Sequence, residues 1–193
     1  MARSVGSAIC VVAFAALGGI AALIPATAMA DTYSFLRGSK WYVPPATLPA
    51  ALMTLSDGKV RPVLDQTVWD ITGYKYGYFW GRSIAQFMRP ATGAPIGSAS
   101  CSRMMGSVTP SGRVSITFVN EDDKTTLRSV QGTGTLTVKS RGQSSFEMQM
   151  ETGATFVVAH WSYMYQCIAG QYCNTKLPGT TLSLTKFIAQ CDL

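Results

Sequence analysis

The sequence predicts a single all-β domain, an antiparallel up-and-down barrel of about eight or nine strands, with a β-sandwich as the alternative. Two observations carry this prediction. Apolar and polar residues alternate with period two in several short runs, and turn residues bound each run. The 193 residues are 47% hydrophobic and only 13% charged, which excludes a disordered chain. This length fits one domain.

Four late runs alternate clearly between the two residue classes: 113–118, 135–139, 146–151 and 181–185. Earlier strands are expected over 67–71, 74–81, 83–89 and 98–108. One apolar and one polar face per strand is typical of an antiparallel sheet with a single buried side. Only 49–55 resembles a helix, with Pro49 near its start and Gly58 just past its end.

Residues 1–30 have the organisation of a secretory signal peptide. Arg3 supplies the positive start, residues 5–24 are apolar, and Ala28-Met29-Ala30 forms a cleavage pattern. A membrane anchor is the alternative because the apolar run is long enough to span a bilayer. Gly18-Gly19 and the cleavage pattern favour export. We therefore expect a mature domain, 31–193, without a membrane span, located outside the cytoplasm, either periplasmic or secreted.

Cysteine content agrees with export. After the leader an even number of cysteines remains, namely Cys101, Cys167, Cys173 and Cys191. An oxidising compartment favours two disulfides, for which three pairings exist. We favour Cys167 with Cys173, closing a small loop, and Cys101 with Cys191. Their spacing differs from that of zinc-binding cysteine pairs, so no metal site is expected.

The segment 36–42, Leu-Arg-Gly-Ser-Lys-Trp-Tyr, resembles the opening strand of lipocalins, which are calycin-type barrels. In that family a glycine precedes a tryptophan and often a tyrosine. Here two residues rather than one separate Gly38 from Trp41. The resemblance implies that Trp41 closes one barrel end beneath a late basic residue, with Lys186 or Arg141 as partner. It also implies a barrel that holds one small ligand inside.

Two aromatic stripes are the strongest candidates for a binding site. Alternation would place Tyr74, Tyr76, Tyr78 and Trp80 on one strand face, and Trp161, Tyr163 and Tyr165 on another. Aromatic rings suit both a packed core and the wall of a ligand cavity, and both interpretations stay open here. The ligand-binding candidates are Tyr76, Tyr78, Trp80, Trp161 and Tyr163, with His160 as a polar group that orients the ligand.

Few residues support catalysis or metal binding. His160 is the only histidine, and no G-x-S-x-G turn accompanies it. Glu147 and Glu151 lie on the polar face of a hairpin strand, which does not support a glycosidase. Met148 and Met150 offer thioethers that suit copper, but core filling is the preferred interpretation. We expect no catalytic residue and no cofactor.

The leading functional hypothesis is an exported, non-enzymatic β-barrel that binds a small hydrophobic or aromatic-stacking ligand. The alternative is a protein-interaction or structural module of the cell envelope, or an inhibitor, with the aromatic residues exposed as a binding patch. A third hypothesis is an enzyme that uses His160 or the pair Asp65 and Asp70. Lysine and arginine are scattered singly, so no nucleic-acid partner is expected.

Overall fold

Short β-strands follow one another along the chain, as the alternating runs predict. A computed structural model describes residues 32–45, 51–54, 58–121, 129–139, 144–152 and 157–191, and the leader predicted over 1–30 lies outside these ranges. The strands are β1 (Ser39–Tyr42), β2 (Ala51–Thr54), β3 (Val60–Lys75), β4 (Tyr78–Met88), β5 (Ser100–Val108), β6 (Arg113–Asn120), β7 (Ser129–Thr137), β8 (Ser145–Thr152) and β9 (Val157–Gln166). No helix in these ranges is long and apolar enough to cross a bilayer.

The strands close into a barrel. From β3 to β9 each strand pairs antiparallel with the next one, and β1 completes the ring by pairing with both β3 and β9. The result is an eight-stranded up-and-down barrel with one extra strand, β2, inserted between the same two neighbours. Closure pairs the backbone N–H and C=O groups that the edge strands of an open sheet would leave exposed. The predicted all-β barrel is confirmed, and the sandwich alternative is wrong.

The extra strand corrects the helix predicted over 49–55. Ala51–Thr54 is extended and pairs with Val60–Val63 of β3 and with Val157–His160 of β9. Pairing with two neighbours supplies ladder hydrogen bonds on both sides, and this tertiary gain overrides a weak local helix signal. Residues 49, 50 and 55 lie outside the described ranges.

One buried side chain of β3 joins the chain after β1 and the C-terminal segment to the barrel. β1 pairs with residues 68–71 of β3 and β2 with residues 60–63, so residues 64–67 fall between the two ladders. The Gln66 side chain accepts a hydrogen bond from Val43 N (2.9 Å) and donates to Val43 O (3.1 Å). Its amide nitrogen also donates to Pro178 O (2.9 Å). An amide side chain thus takes the place of a strand backbone here.

Aromatic rings fill the middle of the barrel. Phe146 packs against Trp41, Trp69 and Phe79, with ring centroids 4.4, 5.3 and 6.1 Å apart. Met104, Met148, Met150 and Met164 surround them, all buried. Flexible thioethers fill the gaps that rigid rings leave. The core-filling interpretation of Met148 and Met150 is confirmed.

A 3-10 helix, Ser34–Leu36, closes one end of the barrel. Tyr33 and Leu36 join the interior cluster, and the Tyr33 hydroxyl donates to Pro110 O in the turn after β5. Trp41 lies inside and donates through Nε1 to Ser39 Oγ (2.8 Å). Lys186, the basic partner that the lipocalin resemblance implied, is exposed on a helix packed outside the barrel, so that assignment is wrong. Arg141 lies outside the described residues.

Residues 167–191 form a segment that packs on the outer wall. The apolar cluster between them joins Leu177 and Phe187 of the segment to Tyr42, Val68 and Ile84 of the barrel. The predicted strand over 181–185 is wrong, because the chain forms the short helix α1 (Leu184–Ile188) there. Ser183 caps this helix, and the buried pair at positions 184 and 187 has helical spacing.

Both predicted disulfides are confirmed. Cys101 on β5 bonds to Cys191, with Cα atoms 5.8 Å apart, and Cys167 bonds to Cys173, with Cα atoms 6.1 Å apart. The first bond ties the end of the C-terminal segment to the outer face of β5. The second closes a small loop at the beginning of that segment. Two disulfides are typical of proteins that fold outside the cytoplasm.

Candidate functional site

A tight turn divides the first aromatic stripe. Lys75 pairs directly with Tyr78, which leaves a two-residue loop, Tyr76-Gly77. Both residues have positive φ, 52° and 83°, as in the type I′ turns that connect hairpin strands. The single strand face predicted for residues 74–80 is therefore wrong. The chain reverses in its middle, because a glycine and a left-handed tyrosine make the turn.

The turn separates the aromatic residues into two environments. Tyr74 and Phe79 are cross-strand partners that are buried in the interior cluster. Tyr76 lies at the hairpin tip, 72% exposed, with Lys75 Nζ 5.1 Å from its ring centroid. Tyr78 and Trp80 occupy the other face of β4 and are exposed on the outer wall. Three of the predicted binding residues thus lie together outside the barrel, not around an interior cavity.

Cross-strand neighbours extend this exposed group. Trp80 is opposite Met105 on β5, which is opposite Thr117 on β6. Met105 is 64% exposed. Two residues further along the same face, Arg82 is opposite Arg103, which is opposite Val119. We call the exposed apolar members the outer aromatic surface: Tyr76, Tyr78, Trp80, Met105 and Val119.

The Trp80 indole is seated against the backbone of β3. The register between β3 and β4 shifts between Ile71 and Gly73, and the indole lies over the Gly73 Cα. A methyl group at position 73 would overlap the six-membered ring and Nε1 of the indole. Glycine is therefore required for this seat. The contact holds a large exposed ring in one place on a rigid strand.

A groove with a volume of 770 Å³ runs beside the seated indole. Its charged residues are Asp70, Arg82, Arg103 and Glu121. Glu121 forms an ion pair with Arg103 and lies 3.8 Å from Arg82 Nε, whereas Asp70 pairs with Lys40 at 2.9 Å. Both carboxylates are thus compensated within the protein, and the Arg103 side chain remains 81% exposed. The groove presents guanidinium donors next to apolar rings.

The second aromatic stripe lies elsewhere. Tyr163 and Tyr165 are half-buried on the outer face of β9, with ring centroids 5.4 Å apart. A hydrogen bond with Tyr163 raises the pKa of the Tyr165 phenol, and desolvation adds to the effect. β9 is three strand positions away from β4 around the ring, through β1 and β3. Tyr163 therefore does not belong to the outer aromatic surface.

The remaining two candidates are described through their backbones. His160 pairs with Met150 and Ala51, and Trp161 pairs with Gln149. Their side chains lie outside the described part of the structure, so the roles predicted for both residues stay predictions.

Sequence reasoning missed Met105 and Arg103. The alternation was present in the sequence, because Arg103 and Met105 share one face of β5 and Ser102 and Met104 lie on the opposite face. Two adjacent methionines hide the alternation, since an apolar residue occupies each face. Only the register with β4 shows that Met105 is the one beside Trp80.

The barrel agrees with the lipocalin resemblance at a coarse level. It is antiparallel, up-and-down, closed and eight-stranded, and the tryptophan of its first strand lies inside. No protein-family model, curated protein or solved structure matches this chain.

Proposed function

We propose that this protein is an exported, non-enzymatic β-barrel that binds a protein partner through its outer aromatic surface. The observation that carries the proposal is the cluster of exposed Tyr76, Tyr78, Trp80 and Met105 on one wall. Tyrosine, tryptophan, methionine and arginine are the residues enriched at protein interfaces. The few residues that contribute most of the binding energy, called hot spots, are enriched in tryptophan, tyrosine and arginine.

Rigidity supports the same proposal. The hairpin turn holds Tyr76, and the Gly73 backbone holds the Trp80 indole. Binding surfaces that are ordered before contact lose less conformational entropy when a partner docks. An exposed tryptophan that already has one defined position can therefore act as an anchor.

Charge indicates the character of the partner. Arg82 and Arg103 border the apolar rings, and Lys75 lies beside Tyr76. The whole chain carries +6, which falls to +5 when the leader with Arg3 is removed. We infer a partner surface with an apolar centre and acidic residues at its rim, since such a surface complements these charges.

Packing of the barrel favours this surface over an interior ligand site. Trp41, Trp69, Phe79 and Phe146 occupy the middle of the barrel, where the sequence placed a ligand. The polar groups beside the outer aromatic surface are ion-paired arginines and carboxylates. We assign no reaction to them.

The export and family proposals rest on separate features. The leader over 1–30 and the two disulfides support a location outside the cytoplasm, periplasmic or secreted. The up-and-down topology and the interior Trp41 support a calycin-type barrel. We propose both on these grounds.

The test is photo-crosslinking from the centre of the surface. We would replace Met105 with p-benzoylphenylalanine, irradiate the protein with the extracytoplasmic fraction of its source cells, and identify the product by mass spectrometry. With the partner identified, Trp80→Ala is expected to weaken binding by about 30-fold, the loss of about 2 kcal/mol typical of a hot spot. Binding would be measured by calorimetry.

Tyr172→Ala is the matched control, because Tyr172 is also an exposed aromatic residue but lies on the C-terminal segment. It should bind like the unmodified protein, and circular dichroism should show that both variants are folded. Equal affinity of the Trp80→Ala variant, or crosslinking only to a second copy of this chain, would contradict the proposal.

A further inference from the structure

A second concavity lies on the molecule, separate from the outer aromatic surface. It is a cleft of 810 Å³ between the outer wall at the ends of β3 and β4, the loop after β4, and the C-terminal segment. Its apolar walls include Leu64, Met88, Leu177, Pro178 and Phe187. Ligand pockets for small molecules have volumes of about 300–1,000 Å³ and largely apolar walls.

The walls of this cleft are fixed. The segment is tied to the barrel by the disulfide between Cys101 and Cys191 and by the hydrogen bond from Gln66 to Pro178 O, and the disulfide between Cys167 and Cys173 closes a loop within it. Leu177 and Phe187 are completely buried. On the opposite side, Met88 forms a β-bridge with Pro95, and Arg89 N donates to Ala94 O, which closes the loop tightly. The space is therefore a preformed feature of the fold.

Several threonine and glutamine side chains line the cleft, but only one of the described lining side chains carries a charge. Lys176 is the one charged side chain among the described residues that line it. It is exposed, and no described carboxylate lies within ion-pair distance of it. The buried Gln86 amide donates to Phe87 O (2.9 Å) and Gly97 O (3.3 Å), which leaves its carbonyl oxygen as an acceptor.

From this arrangement we propose that the cleft binds a small amphipathic carboxylate of the fatty-acid class. The alkyl chain lies along Leu64, Pro95 and Leu182, the apolar lining residues that keep exposed surface beside Met88, and the carboxylate pairs with Lys176. Apolar walls favour the chain by burying its surface. A single unpaired lysine favours a single negative charge. The proposal is independent of the protein-binding surface, since the two share no lining residue.

The experiment uses decanoate as the probe, below its micelle concentration, with decanol as the uncharged control. Methionine methyl groups labelled with ¹³C report where the probe binds, because Met88 lines the cleft whereas Met148 and Met164 lie in the barrel interior. We expect saturable binding of decanoate with a shift of the Met88 signal. Decanol should bind about three- to tenfold more weakly, the cost of losing a charged contact near the surface.

Two variants make the test specific. Lys176→Ala should weaken decanoate binding about three- to tenfold and leave decanol binding unchanged. Lys186→Ala is the matched control, since Lys186 is an exposed lysine of the same segment that does not line the cleft. Thr181→Trp, which places a large ring at an exposed lining position, should abolish binding of both probes.

The proposal would be overturned by any of four results. The first two are the absence of saturable decanoate binding and shifts of the Met148 and Met164 signals instead of the Met88 signal. The others are equal effects of the two lysine variants and decanoate binding that persists in the Thr181→Trp variant.

Discussion

At the scale of the residue, Gln66 shows how one side chain substitutes for missing strand backbone. It is fully buried, and it satisfies both backbone groups of Val43 as well as Pro178 O. The side chain has one acceptor oxygen and two donor hydrogens, and all of these contacts use them. The strand pattern does not show that Gln66 is buried or which groups it contacts, because alternation assigns this position to the outer face of the barrel.

Replacing Gln66 with leucine is expected to destabilise the protein by about 3 kcal/mol or more, because a buried N–H and two carbonyls lose their partner. Urea unfolding followed by tryptophan fluorescence measures the free energy of unfolding. Gln149→Leu is the control, since Gln149 is exposed on β8, and its effect should stay within about 0.5 kcal/mol. Similar losses in the two variants would show that the Gln66 hydrogen bonds contribute little.

At the scale of the element, alternation predicted those strands whose two faces differ. β6 and β8 were found because Val114, Ile116 and Phe118 on one strand and Phe146, Met148 and Met150 on the other bury one face. The hairpin turn at Tyr76-Gly77 was missed because tyrosine rarely adopts positive φ. Residues 181–185 were assigned to a strand because their period-two pattern is too short to exclude a capped helix.

The two disulfides differ in the length of chain that they close. Cys101 and Cys191 are separated by 90 residues, whereas Cys167 and Cys173 are separated by 6. In the chain-entropy account, the longer loop restricts the unfolded state more. Replacing Cys101 and Cys191 with serine should therefore cost about 4.6 kcal/mol, against about 2 kcal/mol for Cys167 and Cys173.

Thermal unfolding monitored by circular dichroism would compare the two double-serine variants. We expect the larger fall in Tm when the long-range bond is absent. The opposite order would mean that the small loop contributes mainly through the cleft wall that it supports, not through the entropy of the unfolded chain.

At the scale of the whole molecule, the two proposed binding sites lie on the outer wall at opposite ends of β4. Trp80 lies near the start of β4 and Met88 at its end, which puts them ~26 Å apart along one strand. The sequence predicted the barrel, both disulfides and three members of the exposed surface. It could not predict that Tyr78 and Trp80 face outward, because facing depends on the register with Ser107 and Met105. The cleft was also inaccessible to sequence reasoning, since it is formed by segments distant along the chain.

Because the two proposed sites share no lining residue and Trp80 is distant from Met88, the effects of substitutions at the two sites on binding free energy should add. In a variant that combines Trp80→Ala with Lys176→Ala, partner binding should equal that of the first single variant and decanoate binding that of the second, within about 0.5 kcal/mol. Calorimetric titrations of the double and single variants measure this. A larger coupling energy would indicate that the barrel transmits binding from one site to the other.

The bond between Cys101 and Cys191 has a mechanical consequence. A force that pulls the chain after Cys191 away from the N-terminal end of the domain passes through the sulfur bridge directly into β5 and bypasses residues 102–190. Strands β6 to β9 and the C-terminal segment are therefore shielded from that load as long as the bridge is intact. Tension is borne instead by β1 to β4 and the first residues of β5, and a reductant would transfer it to the other half of the barrel.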